Sequence, residues 1–259
     1  MNTAKKTRSW DISFLSNKEV LRTKSFGITK EAKSVDFPIR LLRYWFGFHL
    51  MREEYWRAGK PIRVAEIGVD SGQMLRFAHM ASQRGECNKF EFDRWLAVDA
   101  ILQKERLEEA GYKDFFELNL EAKEFELDGL YDTAVCLHVL EHLHDPENTI
   151  VQLAKTIKPG GSIIGGFPVL PDFLVKTREK QVRKTARPMG HVSIFSPKRV
   201  RHMAENAGLT LEFASGAFLM RSKGSGLENS SAWLRLNLLW GALFPAWPGE
   251  IYWLMRKPQ

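Results

Sequence analysis

The chain has 259 residues, 44% hydrophobic and 27% charged, with a formal net charge of +7, which suits one soluble α/β domain with additions or at most two small domains. Two cysteines, Cys87 and Cys136, could form a single disulfide, but so sparse a set points to free buried thiols in a reducing compartment. The start is polar and basic with no apolar core stretch, so no signal peptide is expected, and the charge-free apolar run 236–249 holds two prolines and falls short of the roughly 20 residues that span a bilayer; a cytoplasmic protein is expected, touching a membrane surface at most.

Residues 1–36 read as a polar leader without periodicity. Residues 38–58 read as a helix in which Leu41, Leu42, Trp45, Phe48 and Tyr55 form a wide apolar face among arginines. Docking on a membrane is one use for such a face; covering the edge of a core is the plainer one. These two segments make up an N-terminal extension, 1–59, ahead of a domain spanning 60–259.

From residue 62 the pattern alternates. Strands are expected at 62–67, 95–99, 115–119, 131–137 and 162–167, and helices at 72–84, at 102–110 and from Pro146. The fifth strand follows the turn KPGG. Such alternation predicts a parallel sheet covered on both faces, with ligands beyond the carboxyl ends of the strands. After residue 168 the rhythm breaks. A basic segment (172–201) leads to a helix starting at Ser196-Pro197, a strand at 211–220, an apolar insertion (222–249) and a closing strand at 250–257.

The first strand ends VAEIGVDSGQML (64–75). Gly68 and Gly72 allow backbone to pass close to a ligand at a helix start. A dinucleotide fingerprint needs G-x-G-x-x-G, but Asp70 and Gln73 stand at its second and third glycine positions. An acid in the loop, with Glu66 at the strand end, favours a ligand with positive character over a pyrophosphate. Asp99 closes the next strand, where a carboxylate accepts hydrogen bonds from ribose hydroxyls.

With AEIGVDSG (65–72), LAVDA (96–100), LYDTAVCLHVLEHLHDPE (130–147), LAKTIKPGGSIIGGFP (153–168) and GHVSIFSPKRVRHMAENAGL (190–209), the chain resembles the class I S-adenosylmethionine-dependent methyltransferases over roughly residues 60–257. The resemblance implies a Rossmann-like, seven-stranded, mostly parallel sheet with an antiparallel last strand and helices on both faces. It implies S-adenosylmethionine as cofactor and S-adenosylhomocysteine as product. Glu66, Gly68 and Gly72, with Asp70 between them, would line the methionine end; Asp99, beside Ala100, would hold the ribose; Asn119 and Leu120 would flank the adenine; His138 would face the pocket. Two positions depart from the family pattern: Asp70 replaces a glycine, and Asn119 stands where aspartate is common.

His138, Glu141 and His142 also spell H-x-x-E-H, a zinc-hydrolase pattern when helical. Cys136 and Leu137 belong to the strand, so His138 falls at a turn, and no metal is expected. The ubiquinone-pathway O-methyltransferases, which this region resembles, carry Glu, Glu and His at these positions and can hold a divalent ion; here His138 replaces the first acid.

A hydroxyl acceptor needs a base, and His142, His191 and His138 are the candidates. Substrate contact is assigned to a basic stripe. Between residues 176 and 201 there are nine Lys/Arg against the one acid Glu179, and Lys176, Lys180, Arg183, Lys184 and Arg187 share a helical face if 172–187 is helical. A single-sign face suits an anionic acceptor, and the tryptophan-rich insertion suits an apolar one, such as a lipid-linked or cell-surface glycan intermediate; the insertion is a lid, a shallow membrane contact or core. Two other functions compete. RNA or other N-methylation would use the same cations, but no Asn/Asp-Pro-Pro-aromatic signature follows the fourth strand. A non-catalytic cofactor-binding or partner protein would follow if Asp70 and Asn119 spoil the pocket.

Overall fold

A computed structural model describes residues 42–83, 89–185, 187, 190–219, 225–247 and 249–259. The leader 1–36, the expected helix start at 38–41 and Cys87 lie outside the described residues.

Seven strands form one sheet: β1 (Ile62–Ile67), β2 (Phe92–Asp99), β3 (Asp114–Glu117), β4 (Tyr131–Leu137), β5 (Ile157–Val169), β6 (Thr210–Ala217) and β7 (Gly249–Arg256), in the order β3-β2-β1-β4-β5-β7-β6. Only β7 runs antiparallel to its neighbours. The chain travels outward from β1 to β3, then returns to place β4 on the other side of β1. The crevice between the carboxyl ends of β1 and β4 is therefore the switch point where open sheets bind ligands.

The helices are α1 (Leu42–Ala58), α2 (Gln73–Ser82), α3 (Lys104–Glu109), α4 (Pro146–Thr156), α5 (Asp172–Thr185), α6 (Pro197–Asn206) and α7 (Ser231–Leu243). They cover both faces. One core joins α1, α2 and α7 to the sheet through residues such as Phe46, Leu75 and Leu234. The other joins α4 and α6 through Ile150, Leu153, Val200 and Met203. The central strands are buried on both faces, which is why β1 and β4 read as near-continuous apolar runs.

Three local readings change. The KPGG turn lies inside β5, because pairing with β4 steps from Tyr131↔Ile157 to Thr133↔Ser162 and the extra residues are taken up as an irregularity within the strand. The insertion contains α7, whose Leu234, Asn237, Leu238 and Gly241 are buried, while Leu236, Leu239, Leu243, Phe244 and Trp247 on its other side and beyond its end are exposed. The basic helix stops at Thr185, so Arg187 lies past its end.

α1 is built into the domain. Trp45, Phe46, Phe48 and Met51 are fully covered, and buried Glu54 accepts Ser162 Oγ at 2.8 Å and Arg256 Nη2 at 2.9 Å. This carboxylate ties α1 to β5 and β7. Removing one partner of a buried pair strands the other's charge. Glu54→Ala is expected to lower unfolding stability by about 3 kcal/mol, measured by urea denaturation; a loss within about 0.5 kcal/mol would show that the contact is mere surface pairing.

Candidate active site

At the switch point lies a cavity of about 690 Å³, lined among others by Glu66, Gly68, Asp70, Asp99, Ala100, Asn119, Leu120, His138 and His142. Gly68 shapes its floor. It has φ +74°, and a Cβ there would stand 2.3 Å from Val139 Cγ2, so only glycine allows β1 and the turn after β4 to close together. Gly72 also has φ +73° but does not line the cavity. Its missing side chain makes room for Tyr112 and Ala110 beneath the loop.

Asp70 takes φ +44°, a left-handed conformation that Asp tolerates better than most residues. Its N–H donates to Asp99 Oδ2 at 3.2 Å, and Ile101 N–H donates to Asp99 Oδ1 at 3.4 Å. The loop thus aims the Asp99 carboxylate with its backbone, which explains how an acid can occupy the glycine position. Asn119 turns its own chain, its Oδ1 accepting Glu121 N–H at 3.0 Å.

Glu66 is 5% exposed. One of its oxygens, Oε2, accepts both Trp95 Nε1–H at 2.8 Å and Tyr112 O–H at 2.6 Å. Burial pushes the carboxyl up to about 7, outweighing the two donors that pull it down. A cationic ligand in the cavity would favour the ionised form.

His138 ends β4 with φ +59°, a strained position for a non-glycine residue that costs of order 1 kcal/mol. Its Nδ1 lies 3.1 Å from Glu141 Oε1 and its Nε2 3.4 Å from Glu250 Oε2; Tyr252 O–H donates a short bond to the same Glu250 oxygen. Burial alone would raise the Glu141 carboxyl, but the His138 hydrogen bond and the charges of His138 and His142 hold it below its ordinary range.

His142 sits in a short 3₁₀ turn, Leu140–His142, and its Nδ1 lies 3.2 Å from the Gly190 carbonyl. A carbonyl only accepts, so Nδ1 carries the proton and Nε2 is the basic nitrogen of the neutral ring. His191 is exposed, with its ring centroid 4.9 Å from that of His142. His138 and His142 line the cavity, and His191 does not; it reaches the site through its contact with His142. The segment carrying His191 is stitched down: Val192 N–H donates to Glu141 O at 2.8 Å, Ser193 Oγ to Leu143 O at 2.7 Å, and Arg183 Nε to Val192 O at 3.0 Å.

Ligand atoms of Glu141, His142 and His191 lie within 4.8 Å of one another, a spacing that would admit a metal ion. The acid–acid–histidine set of the ubiquinone-type enzymes does not form, because His138 fills the first position and its ring faces Glu141 and Glu250. Of the basic stripe, none lines the cofactor cavity. Lys180 and Arg183 line a separate cleft, and Lys184 and Arg187 are exposed. Sequence reasoning missed Arg43 and Tyr44 of α1 and Glu121, which line the cavity, and Glu250 and Tyr252, which back His138. Only Glu250, an acid opening an otherwise apolar strand, left any local signal.

The family profile described as "Methyltransferase domain" matches residues 44–212, well over half of the chain. The chain belongs to the class I S-adenosylmethionine-dependent methyltransferases. It is 31% identical over 106 residues to the ubiquinone biosynthesis O-methyltransferase of Pseudomonas aeruginosa strain UCBPP-PA14, covering 41% of this chain and 43% of that protein. The enzyme of the same name from Xanthomonas euvesicatoria pv. vesicatoria strain 85-10 is 31% identical over 159 residues, covering 60% of this chain and 65% of that one. The chain thus matches between about two fifths and two thirds of these relatives' length. Among solved structures, N-methyltransferase NodS of Bradyrhizobium japonicum WM9 with S-adenosyl-L-homocysteine has a TM-score of 0.51 at 15% identity, covering 92% of this chain and all of that one. The [4+2]-cyclase SpnF has a TM-score of 0.50 at 14% identity, covering 82% of this chain and 80% of that one. These likenesses establish the fold.

The cavity fits the family cofactor in this methyltransferase: Glu66, Asp99 and Gln73 line it, and the buried Gln73 Oε1 has no hydrogen-bond donor among the described residues. Glu66 yields a pH test. Its folded pKa of about 7 lies above its ordinary 4.5, so the folded state binds the proton more tightly and stability falls as pH rises from 4.5 through 7, by about 3 kcal/mol in all. Thermal unfolding between pH 5 and pH 8 should show that slope, and Glu66→Gln should flatten it. At pH 6.5, binding of S-adenosylmethionine should release a fraction of a proton in the wild type and none in Glu66→Gln, read from calorimetry in buffers of different ionisation enthalpy.

Proposed function

We propose that this methyltransferase transfers the cofactor's methyl to a hydroxyl oxygen of a small acceptor, with His142 removing the hydroxyl proton. The carrying observation is the Gly190 carbonyl on His142 Nδ1, which leaves Nε2 as the proton acceptor on a residue that lines the cavity. The cofactor, when bound, supplies a methyl group already activated on a sulfonium. The chain's own tasks are alignment and proton removal. Glu141 is held as a carboxylate beside His142 and supports the imidazolium that forms. The O-methyltransferase names of the relatives support oxygen as the acceptor atom.

Among the described residues, Glu66, Asp70, Asp99 and Glu121 line the cavity against one Lys/Arg side chain, Arg43, a poor surface for a phosphodiester strand, so a small molecule is favoured over RNA. We infer that the acceptor carries an anionic part, with glycan or lipid-linked intermediates first to be screened, because α5 presents a row of cations near the acceptor side. The exposed apolar side of α7 supports a peripheral membrane contact on the cytoplasmic face.

S-adenosylhomocysteine should bind with a dissociation constant of about micromolar order, and Asp99→Ala should weaken it about tenfold or more. His142→Ala should keep that affinity while lowering kcat by about 100-fold or more, followed as S-adenosylhomocysteine release with a panel of hydroxylated acceptors. Failure of the wild type to bind S-adenosylhomocysteine would overturn the reading.

A further inference from the structure

Helix α5 buries none of its residues, so apolar packing does not explain where it lies. Polar contacts hold it. Glu179 accepts Arg199 Nη1 at 2.6 Å and Ile194 N–H at 3.2 Å and pairs with Arg183 at 2.7 Å. Asp172 accepts Ser196 Oγ at 2.8 Å. Between α5 and α6 these contacts frame a cleft of about 480 Å³, lined by Val175, Lys176, Glu179, Lys180, Arg183 and Arg199 and sharing no residue with the cofactor cavity.

The charges in the cleft do not balance. Arg199 is held by Glu147 and Glu179, and Glu179 is shared with Arg183. Lys176 and Lys180 have no ion-pair partner among the described residues. Four cations thus face two acids, and the surplus sits on two lysines one helical turn apart, whose like charges repel each other. Arg183 uses Nε on Val192 O and Nη2 on His144 O, leaving Nη1 without a hydrogen-bond partner among the described residues. Two mobile ammonium groups around a fixed guanidinium donor suit a compact, doubly charged oxyanion better than a monovalent ion.

We propose that the α5–α6 cleft is an oxyanion site for a phosphate group. Its place relative to the reaction rests on the methyl-transfer reading. Arg183 donates to the Val192 carbonyl, next in the chain to His191, and to the His144 carbonyl, two residues past His142; on that reading a phosphorylated acceptor seated on Lys176 and Lys180 would extend from there toward His142.

The test uses the full chain and inorganic phosphate, titrated against chloride at constant ionic strength and followed by amide chemical shifts. Saturable binding is expected. The Lys176→Ala/Lys180→Ala double variant should weaken it about tenfold or more, and Lys60→Ala/Lys113→Ala, which removes the same charge elsewhere, should leave it unchanged. Non-saturable shifts, or equal weakening in both double variants, would overturn the site. S-adenosylhomocysteine titration of the same proteins separates the two readings, since its failure removes the methyltransferase reaction and leaves the phosphate result standing. Sedimentation with phosphatidylglycerol vesicles identifies the carrier. Lysine-dependent pelleting assigns the phosphate to a lipid headgroup, whereas saturable phosphate binding without pelleting assigns it to a soluble ligand.

Discussion

The contact between Gly68 and Val139 is the constraint on which the site depends. Two strands that are neighbours in space, β1 and β4, end in turns that must approach within van der Waals distance to form the floor of the cavity. A Cβ at residue 68 would fall 2.3 Å from Val139, so the approach is possible only with glycine. The same left-handed glycine turns the chain toward Asp70, whose N–H orients Asp99. Steric closure at one point therefore sets the positions of the acids at the ends of β1 and β2 and of the histidine turn after β4.

Electrostatics divides the molecule into two regions. The cofactor cavity is acidic, with Glu66 buried and its carboxyl raised by that burial, which suits a ligand with positive character. The cations of the basic segment gather outside it, on a helix that buries no residue fully and is tied down by hydrogen bonds and ion pairs. An acceptor with an anionic end fits this division. In the proposed reading its charged end would rest on α5 while its reacting hydroxyl enters a cavity that repels the charge.

Strand β7 links the His138 side of the cavity to the rest of the core. Because it runs against the other strands, its first residues lie at the carboxyl ends of its neighbours, and Glu250 arrives beside His138. Gly166 lacks the Cβ that would meet the Tyr252 ring at 2.4 Å, so Tyr252 can stand behind Glu250 and stack on Phe46 of α1 at 4.3 Å. The acid network behind His138 is thus continuous with the packing of α1, which also delivers Arg43 and Tyr44 to the cavity.

The sequence by itself determined the α/β alternation, the strand ends that carry Glu66, Asp99 and His138, the turn position of His138, and the family. Those features are local: apolar runs of strand length, glycines at turns and an acid closing a strand each act within a few residues. The tertiary structure decided the rest. KPGG became part of β5 because its neighbour and the β7 end satisfy its backbone. α5 buries no residue fully and was placed largely by the polar contacts of Glu179 and Arg183. Glu250 reached His138 across 112 positions of chain, and the Gly190 carbonyl chose the His142 tautomer across 48. No local pattern encodes such pairings, since they exist only after the sheet has set which strand ends meet.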